Sequence, residues 1–315
     1  MLKVHYSVPA MKKHAADHAK KLLPIIKFRL KKTDNKLLAE YFKTDALIKE
    51  FLSATPRKLL NLNELIYTSL KHHAKSDIAD AAQRVFNYDE FGKRNRAKYR
   101  ADNMCKTLDF KTCPYCNLTK IGVTLNKAGV VISRPPLDHF FSDAKFPLLA
   151  LSFYNLIPAC TTCNTNFKLG ATMSLSKNTH PYINGFENEC VFDIANFKDI
   201  DDILGKKEGP FDLVFDNKFK KKKYNGNISL FKLEDQYGTQ KDSARIVLNK
   251  AISYGPSILK NIFKLSHQNP LKAFEHAFGS KIKPTEFHHI PLSKMNSDII
   301  RKYGNNKLKK IFKIT

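Results

Sequence analysis

The stretch RPPLDHFFSDAKFPLLALSFYNLIPACTTCNTNFKLG, residues 134–170, decides how the rest of this chain is read. It sets a metal-ligand type beside a proton acceptor in Asp138-His139. Asn155 follows in an apolar context, and then Cys160-x-x-Cys163 with Asn164 directly after it. These are the residue types of a metal-assisted hydrolytic site built on a zinc knuckle. A second pair, Cys113-x-x-Cys116, lies just upstream. Two such pairs supply the four thiolates of a closed tetrahedral zinc site, and the span between them can loop out a hairpin that carries the histidine.

The Cys pair, the hairpin, Leu137-Asp138-His139, Asn155-Leu156, Cys160-x-x-Cys163-Asn164 and Lys168 together resemble the HNH endonucleases, also called His-Me finger or ββα-metal nucleases, over roughly residues 113–185. The resemblance implies a zinc-stabilised ββα finger with structural Zn²⁺ on Cys113, Cys116, Cys160 and Cys163. It further implies His139 as general base, Asp138 and Asn164 as ligands of a catalytic divalent ion, Mg²⁺ first, and Asn155 as the residue holding the loop that orients the histidine. Cleavage would then leave a 5′-phosphate and a 3′-hydroxyl. The chemistry of these residues agrees. A neutral imidazole with a pKa near about 6.5 accepts a proton at physiological pH, and Mg²⁺ keeps most of its water, so two protein oxygens suffice.

Each residue also has a plainer reading. Asn155 would suit a cap on the following turn, and Lys168 suits either a phosphate contact or an ordinary helix surface. His180, before Pro181, is a rival for the last ligand position but reads better as a packed histidine. Cys113-Pro114-Tyr115-Cys116 also resembles the redox tetrapeptide of glutaredoxins, but those enzymes place it between a strand and a helix, and here a second pair matches it. Cys105 and Cys190 have no evident partners and read as buried thiols. The wider run, through His180-Pro181-Tyr182, resembles bacterial HNH proteins of restriction or phage defence, including the nuclease subunit that works beside an ABC-type ATPase in Septu-like systems. Nothing in the chain resembles a nucleotide-binding loop, so ATP control would come from a partner subunit.

Composition narrows the partner. The 315 residues carry a formal charge of +25, with a pI near 9.7, and a surplus of this size attracts a polyanion through counterion release. The surplus is uneven: 24 Lys and Arg face 12 Asp and Glu over residues 1–112, 6 face 4 over 113–190, and 24 face 13 over 191–315. Nucleic acid, DNA before RNA, is the expected partner; solvated lysine faces are the alternative. No apolar run approaches the roughly 18–20 residues of a membrane span, and the first residues lack a secretory apolar segment. A cytoplasmic protein with no membrane contact is expected. Four of six cysteines in Cys-x-x-Cys pairs fit metal-bound thiolates rather than disulfides.

The fold expected is α+β, in three regions: a helical basic region over 1–112, the nuclease domain over 113–190 and a basic α+β region over 191–315. Asp34 caps a helix whose stripe runs through Leu37, Leu38, Tyr41, Phe42, Ile48, Phe51 and Leu52. Thr55-Pro56 opens another helix. The run 93–100, with Arg94 and Arg96, predicts a basic helix along phosphates or a solvent-facing one. Residues 119–125 and 130–133 predict a hairpin about Asn126-Lys127-Ala128-Gly129. Further on, 211–215 and 228–233 read as strands bracketing Lys220, Lys221, Lys222 and Lys223, which are assigned to nucleic-acid contact or to a guarded sheet edge. Residues 243–248 and 258–265 read as helices, and the tail over 305–315 is basic and amphipathic. Overall the residues predict a metal-dependent endonuclease. The alternatives are a non-catalytic zinc-dependent nucleic-acid-binding module and an effector that cuts RNA.

Overall fold

The computed structural model describes residues 1–4, 8–32, 36–93, 99–204, 209–267 and 269–312. The chain is mixed α+β and divides into two compact units. The first comprises Tyr6–Phe110 and Ile121–Leu175; the second comprises Met1–His5, Lys111–Lys120 and Ser176–Thr315. Residues 113–190 thus contribute to both. Among the described residues no helix is long and apolar enough to cross a membrane.

Among the described residues the first unit begins with seven helices: α1 Val8–Leu30, α2 Lys36–Ala39, α3 Asp45–Ser53, α4 Pro56–Ser69, α5 Lys75–Val85, α6 Tyr88–Gly92 and α7 Ala101–Leu108. In α1 the buried residues Met11, Ala15, His18, Ala19, Leu22, Ile26 and Leu30 recur every three or four positions, so one face packs and the lysines stay outside. The single stripe expected over residues 34–52 is broken into α2 and α3. Thr44 accepts a hydrogen bond from the Leu47 amide and starts a new helix, so Leu38 and Phe42 reach the core before the turn and Ile48, Phe51 and Leu52 after it. The Asp34 cap lies outside the described residues. Thr55 and Pro56 open α4 as expected, through the proline's fixed φ, since Thr55 makes no side-chain cap.

Two small antiparallel sheets follow in this unit. Strands β1 Thr124–Leu125 and β2 Val131–Ser133 form the expected hairpin, though only the last two residues of the run 119–125 are strand, and Gly129 at φ 74° makes its turn. Strands β3 Leu137–His139 and β4 Leu156–Pro158 pair in the register Leu137↔Pro158, Asp138↔Ile157, His139↔Leu156. Arg134 anchors the approach to β3. It donates to Asp102 Oδ1 at 2.9 Å, to the Gly92 carbonyl at 3.0 Å and to the Pro135 carbonyl at 2.9 Å, while Arg100 holds the other oxygen of the buried Asp102.

The second unit pairs β5 Cys190–Ala195 with β6 Asp212–Asn217 over six residues, with α8 Ile200–Ile203 between them. Helices α9 Lys222–Leu230, α10 Leu233–Gly238, α11 Lys241–Ser253, α12 Pro256–Leu265, α13 Pro270–Phe278, α14 Ser293–Tyr303 and α15 Asn306–Phe312 complete it. The strand expected at 228–233 is instead the end of α9 and the start of α10. Its apolar residues Phe231 and Leu233 are buried from a helical turn. Gly226 lets α9 lie against the Lys177 carbonyl, where a Cβ would stand 1.9 Å from the oxygen. The true partner of β6 is β5. Lys220, Lys221, Lys222 and Lys223 therefore form a turn and a helix start, not a link between strands.

His18 sits at the centre of the first unit's packing, against Phe91, Tyr99 and Phe153. Its Nε2 donates to the Leu151 carbonyl at 2.8 Å, which leaves Nδ1 to accept from the Tyr99 hydroxyl at 2.9 Å. Burial pushes its pKa down to about 4. Between about pH 6.5 and 4 the unfolded chain therefore binds the proton that the folded chain refuses. The stability this residue contributes is complete above pH 6.5 and is lost as pH falls, by roughly 2 kcal/mol between pH 7 and 5. Urea unfolding at those two pH values should show a smaller loss for His18→Gln than for the parent chain; equal losses would contradict this assignment.

Candidate functional site

The segment from β3 to the helical turn after β4 builds a cavity of about 330 Å³ lined by Tyr88, Asp89, Asp138, His139, Ser142, Asp143, Asn164 and Lys168, among others. His139 ends β3 with a side chain 10% exposed. Its Nε2 lies 3.0 Å from the Ala150 carbonyl, which can only accept, so Nε2 carries the ring proton. Nδ1 is left with the lone pair, 3.5 Å from Asp143 Oδ2. Burial lowers the His139 pKa, and the Lys168 charge adds to this against the pull of Asp143 and Asp138. The imidazole is thus neutral at physiological pH, the form that takes up a proton.

Asn155 fixes the loop that presents this ring. It is fully buried at the end of a 3₁₀ turn spanning Phe153–Asn155. Its Oδ1 accepts from the Phe141 amide at 2.7 Å, and its Nδ2 donates to the carbonyls of Phe141 at 3.0 Å and Leu149 at 3.1 Å. Leu149 precedes Ala150, the acceptor of the His139 proton, so the orientation of the imidazole is set by the Asn155 amide one residue away. Within the run Phe146 to Tyr154, Leu148, Leu149, Ala150, Leu151, Phe153 and Tyr154 are buried.

Asp138 is buried, and Lys168 Nζ donates to its Oδ1 at 2.6 Å and also to the His139 carbonyl. Lys168 is itself 6% exposed. It therefore does not lie on a helix surface; its ammonium balances a buried carboxylate. Asn164, half-buried, faces the same cavity from a π-helical turn, Thr162–Phe167, in which the Lys168 amide bonds to the Cys163 carbonyl five residues back. One carboxylate and one carboxamide oxygen beside an open cavity suit a hard divalent ion that keeps its water.

The two cysteine pairs come together. The Sγ atoms of Cys113, Cys116, Cys160 and Cys163 are all buried and lie within 4.8 Å of one another, and none is in a disulfide. Four thiolates at tetrahedral corners of about 2.3 Å bonds stand roughly 3.8 Å apart, so this cluster could hold a zinc ion. Backbone amides support the sulfurs: Leu118 N reaches Cys116 Sγ and Cys163 N reaches Cys160 Sγ, both at 3.4 Å. Asn117 takes a left-handed φ of 55° to turn the first knuckle. Its side chain donates to Thr112 Oγ1 and the Phe287 carbonyl and accepts from the Lys294 amide, each at 3.1 Å. Cys105 and Cys190 are buried single thiols, as expected, with burial raising each pKa to about 12. His180 is buried.

Of the residues assigned to nucleic acid, Lys220 and Lys222 are exposed, Lys221 is ion-paired with Glu189 at 2.5 Å and Lys223 lies over the Tyr224 ring. Arg94 and Arg96 lie outside the described residues. Sequence reasoning missed Tyr88. Its hydroxyl donates to the Leu137 carbonyl at 3.3 Å and its ring meets His139 edge to face, with centroids 4.4 Å apart. Burial raises its pKa to about 12, so the phenol stays protonated. Asn117 was missed as well. Neither has a local pattern; the only hint for Asn117 is its place directly after a Cys-x-x-Cys. Comparison of the chain with known protein families, with curated proteins and with solved structures finds no match.

Two outcomes follow from this geometry. Elemental analysis should find about one tightly held zinc per chain, and Cys160→Ser should lose it and unfold at lower temperature, because binding free energy at such a cluster is folding free energy. Asn155→Ala would strand the Phe141 amide and the Phe141 carbonyl and should cost about 2–4 kcal/mol in urea unfolding; a loss under about 1 kcal/mol would show that the loop holds without it.

Proposed function

We propose that this chain is a metal-dependent HNH-type endonuclease that hydrolyses phosphodiester bonds of nucleic acid, DNA before RNA. The observation that carries the reading is a neutral imidazole whose Nδ1 is left as acceptor beside a cavity that Asp138 and Asn164 also line. The strand, loop, strand and helical-turn order of residues 137–167 supports it, as does the charge of +25.

In this reading His139 Nδ1 removes a proton from the attacking water, while Nε2 keeps its hydrogen bond to Ala150 and so holds the ring in one tautomer. A divalent ion bound by Asp138 and Asn164 would offset charge on the phosphate and leaving oxygen. Lys168 tethers Asp138 and the His139 backbone. Asn155 and Tyr88 hold the ring in place. Exposed Lys220 and Lys222 are the phosphate contacts on this reading, with Phe219, 63% exposed beside them, open to a base. Any ATP-dependent control would come from a separate subunit, and a role in restriction or phage defence rests on the sequence resemblance alone.

A second reading, a zinc-dependent nucleic-acid-binding module without catalysis, is favoured by the Asp138–Lys168 pair, in which an ammonium already balances the carboxylate. The two part at His139. With labelled duplex DNA, single-stranded DNA and RNA, in Mg²⁺ or EDTA, the enzyme should cut at least one substrate with Mg²⁺, and His139→Ala should lower the rate by about 10²- to 10⁴-fold with binding kept. The rate should climb with pH through a midpoint below the ordinary histidine value and be level at neutral pH, since the folded pKa is lowered. Binding without cleavage under every metal condition would favour the second reading.

A further inference from the structure

The first unit carries another group of metal-ligating side chains, far in sequence from the cysteines. Glu40 directly follows α2, and His72 and His73 lie in the turn between α4 and α5. One ligand atom from each lies within 4.8 Å of the others. His72 Nε2 is 3.2 Å from Glu40 Oε2, and His73 Nε2 is 3.4 Å from Glu40 Oε1. Ligands on bonds of about 2.0–2.1 Å at a tetrahedral ion stand roughly 3.4 Å apart, so these contacts already have the spacing of a coordination shell.

His72 hydrogen-bonds the carboxylate at 3.2 Å, but His73 is poorly satisfied by it. His73 Nε2 is shielded from solvent, and its contact with Glu40 Oε1 at 3.4 Å lacks the geometry of a well-directed hydrogen bond. A polar nitrogen cut off from water and poorly bonded is costly, and a cation between it and the carboxylate removes the cost. The two rings lie with centroids 4.2 Å apart, both Nε2 atoms turned to the same carboxylate. Two protonated rings so close repel each other; two neutral rings sharing one ion do not.

We propose that Glu40, His72 and His73 form an exchangeable site for a divalent transition-metal ion, Zn²⁺ or its neighbours Co²⁺, Ni²⁺ and Cu²⁺. Two imidazoles and one carboxylate select these ions over Mg²⁺ and Ca²⁺. Three ligands on an exposed surface leave a coordination position to solvent, so the ion exchanges readily, unlike one enclosed by four buried thiolates. The ion ties the end of α2 to the turn before α5, so binding stabilises the first unit. The site is independent of the nuclease reading.

The test uses the full chain as purified, freed of loosely held metal with a mild chelator and titrated calorimetrically with ZnCl₂ at pH 7.5. The parent chain should take up one more equivalent than the His72→Ala/His73→Ala double variant, or bind it at least about tenfold more tightly. Glu40→Gln should weaken this uptake while leaving tightly held zinc, measured by elemental analysis, unchanged. With one equivalent of CuCl₂ the parent's electron paramagnetic resonance spectrum should carry nitrogen hyperfine splitting that the double variant lacks. Glu40 and His72 are exposed and His73 is half-buried, so the variants should fold, which circular dichroism checks. Equal uptake and affinity in parent and double variant, or no uptake by the parent, would overturn the proposal.

Discussion

The carboxamide of Asn155 satisfies three backbone groups at once in an interior closed to water, and the geometry of the candidate site follows from that constraint. Residues 140–155 connect two strands of only three residues each, too short to hold a loop of that length by their own ladder. The loop keeps its shape because one side chain ties its start, at Phe141, to its middle, at Leu149. Ala150 then stands where its carbonyl fixes the His139 tautomer, and the ring lines the cavity with Nδ1 3.5 Å from Asp143 Oδ2. An apolar side chain of similar size could fill the space but could satisfy none of the three groups.

Buried charge in this chain is paired throughout the places that matter. Asp138 is held by Lys168, Asp102 by Arg134 and Arg100, and Asp298 by Lys294, with the Phe192 amide also on the Asp298 carboxylate. Each pair acts as a fastener more than as a source of net stability, because desolvation offsets much of the attraction. Arg134 with Asp102 delivers the chain to β3, and Lys168 brings the turn after Cys163 back against it. The rim of the cavity is acidic at Asp89 and Asp143, whereas exposed Lys220 and Lys222 belong to the second unit.

Motifs with fixed spacing were readable. The two Cys-x-x-Cys pairs, the hairpin about Gly129, the Pro56 helix start and the strand near 211–215 are all legible, because each rests on local backbone geometry or on a pattern of a few residues. Helix α14 was not: Ser293, Lys294, Asn296, Ser297 and Asp298 are buried there beside Met295, Ile299 and Ile300. A helix that buries its polar residues through specific partners shows no apolar stripe to find. The misassigned strand at 228–233 failed for a related reason, since a short apolar run fits a strand or a helix end equally well.

The sequence by itself determined the mixed α+β class, the charge surplus and the residue types of the site, since these depend on composition and spacing alone. Only the tertiary structure decided that two pairs of thiols 47 residues apart converge, that Lys168 faces inward onto Asp138, that Tyr88 from a distant helix flanks His139, and that Glu40 meets His72 and His73. Each of those is a meeting between segments separated along the chain, and such meetings are set by how helices and strands pack, which no local pattern encodes.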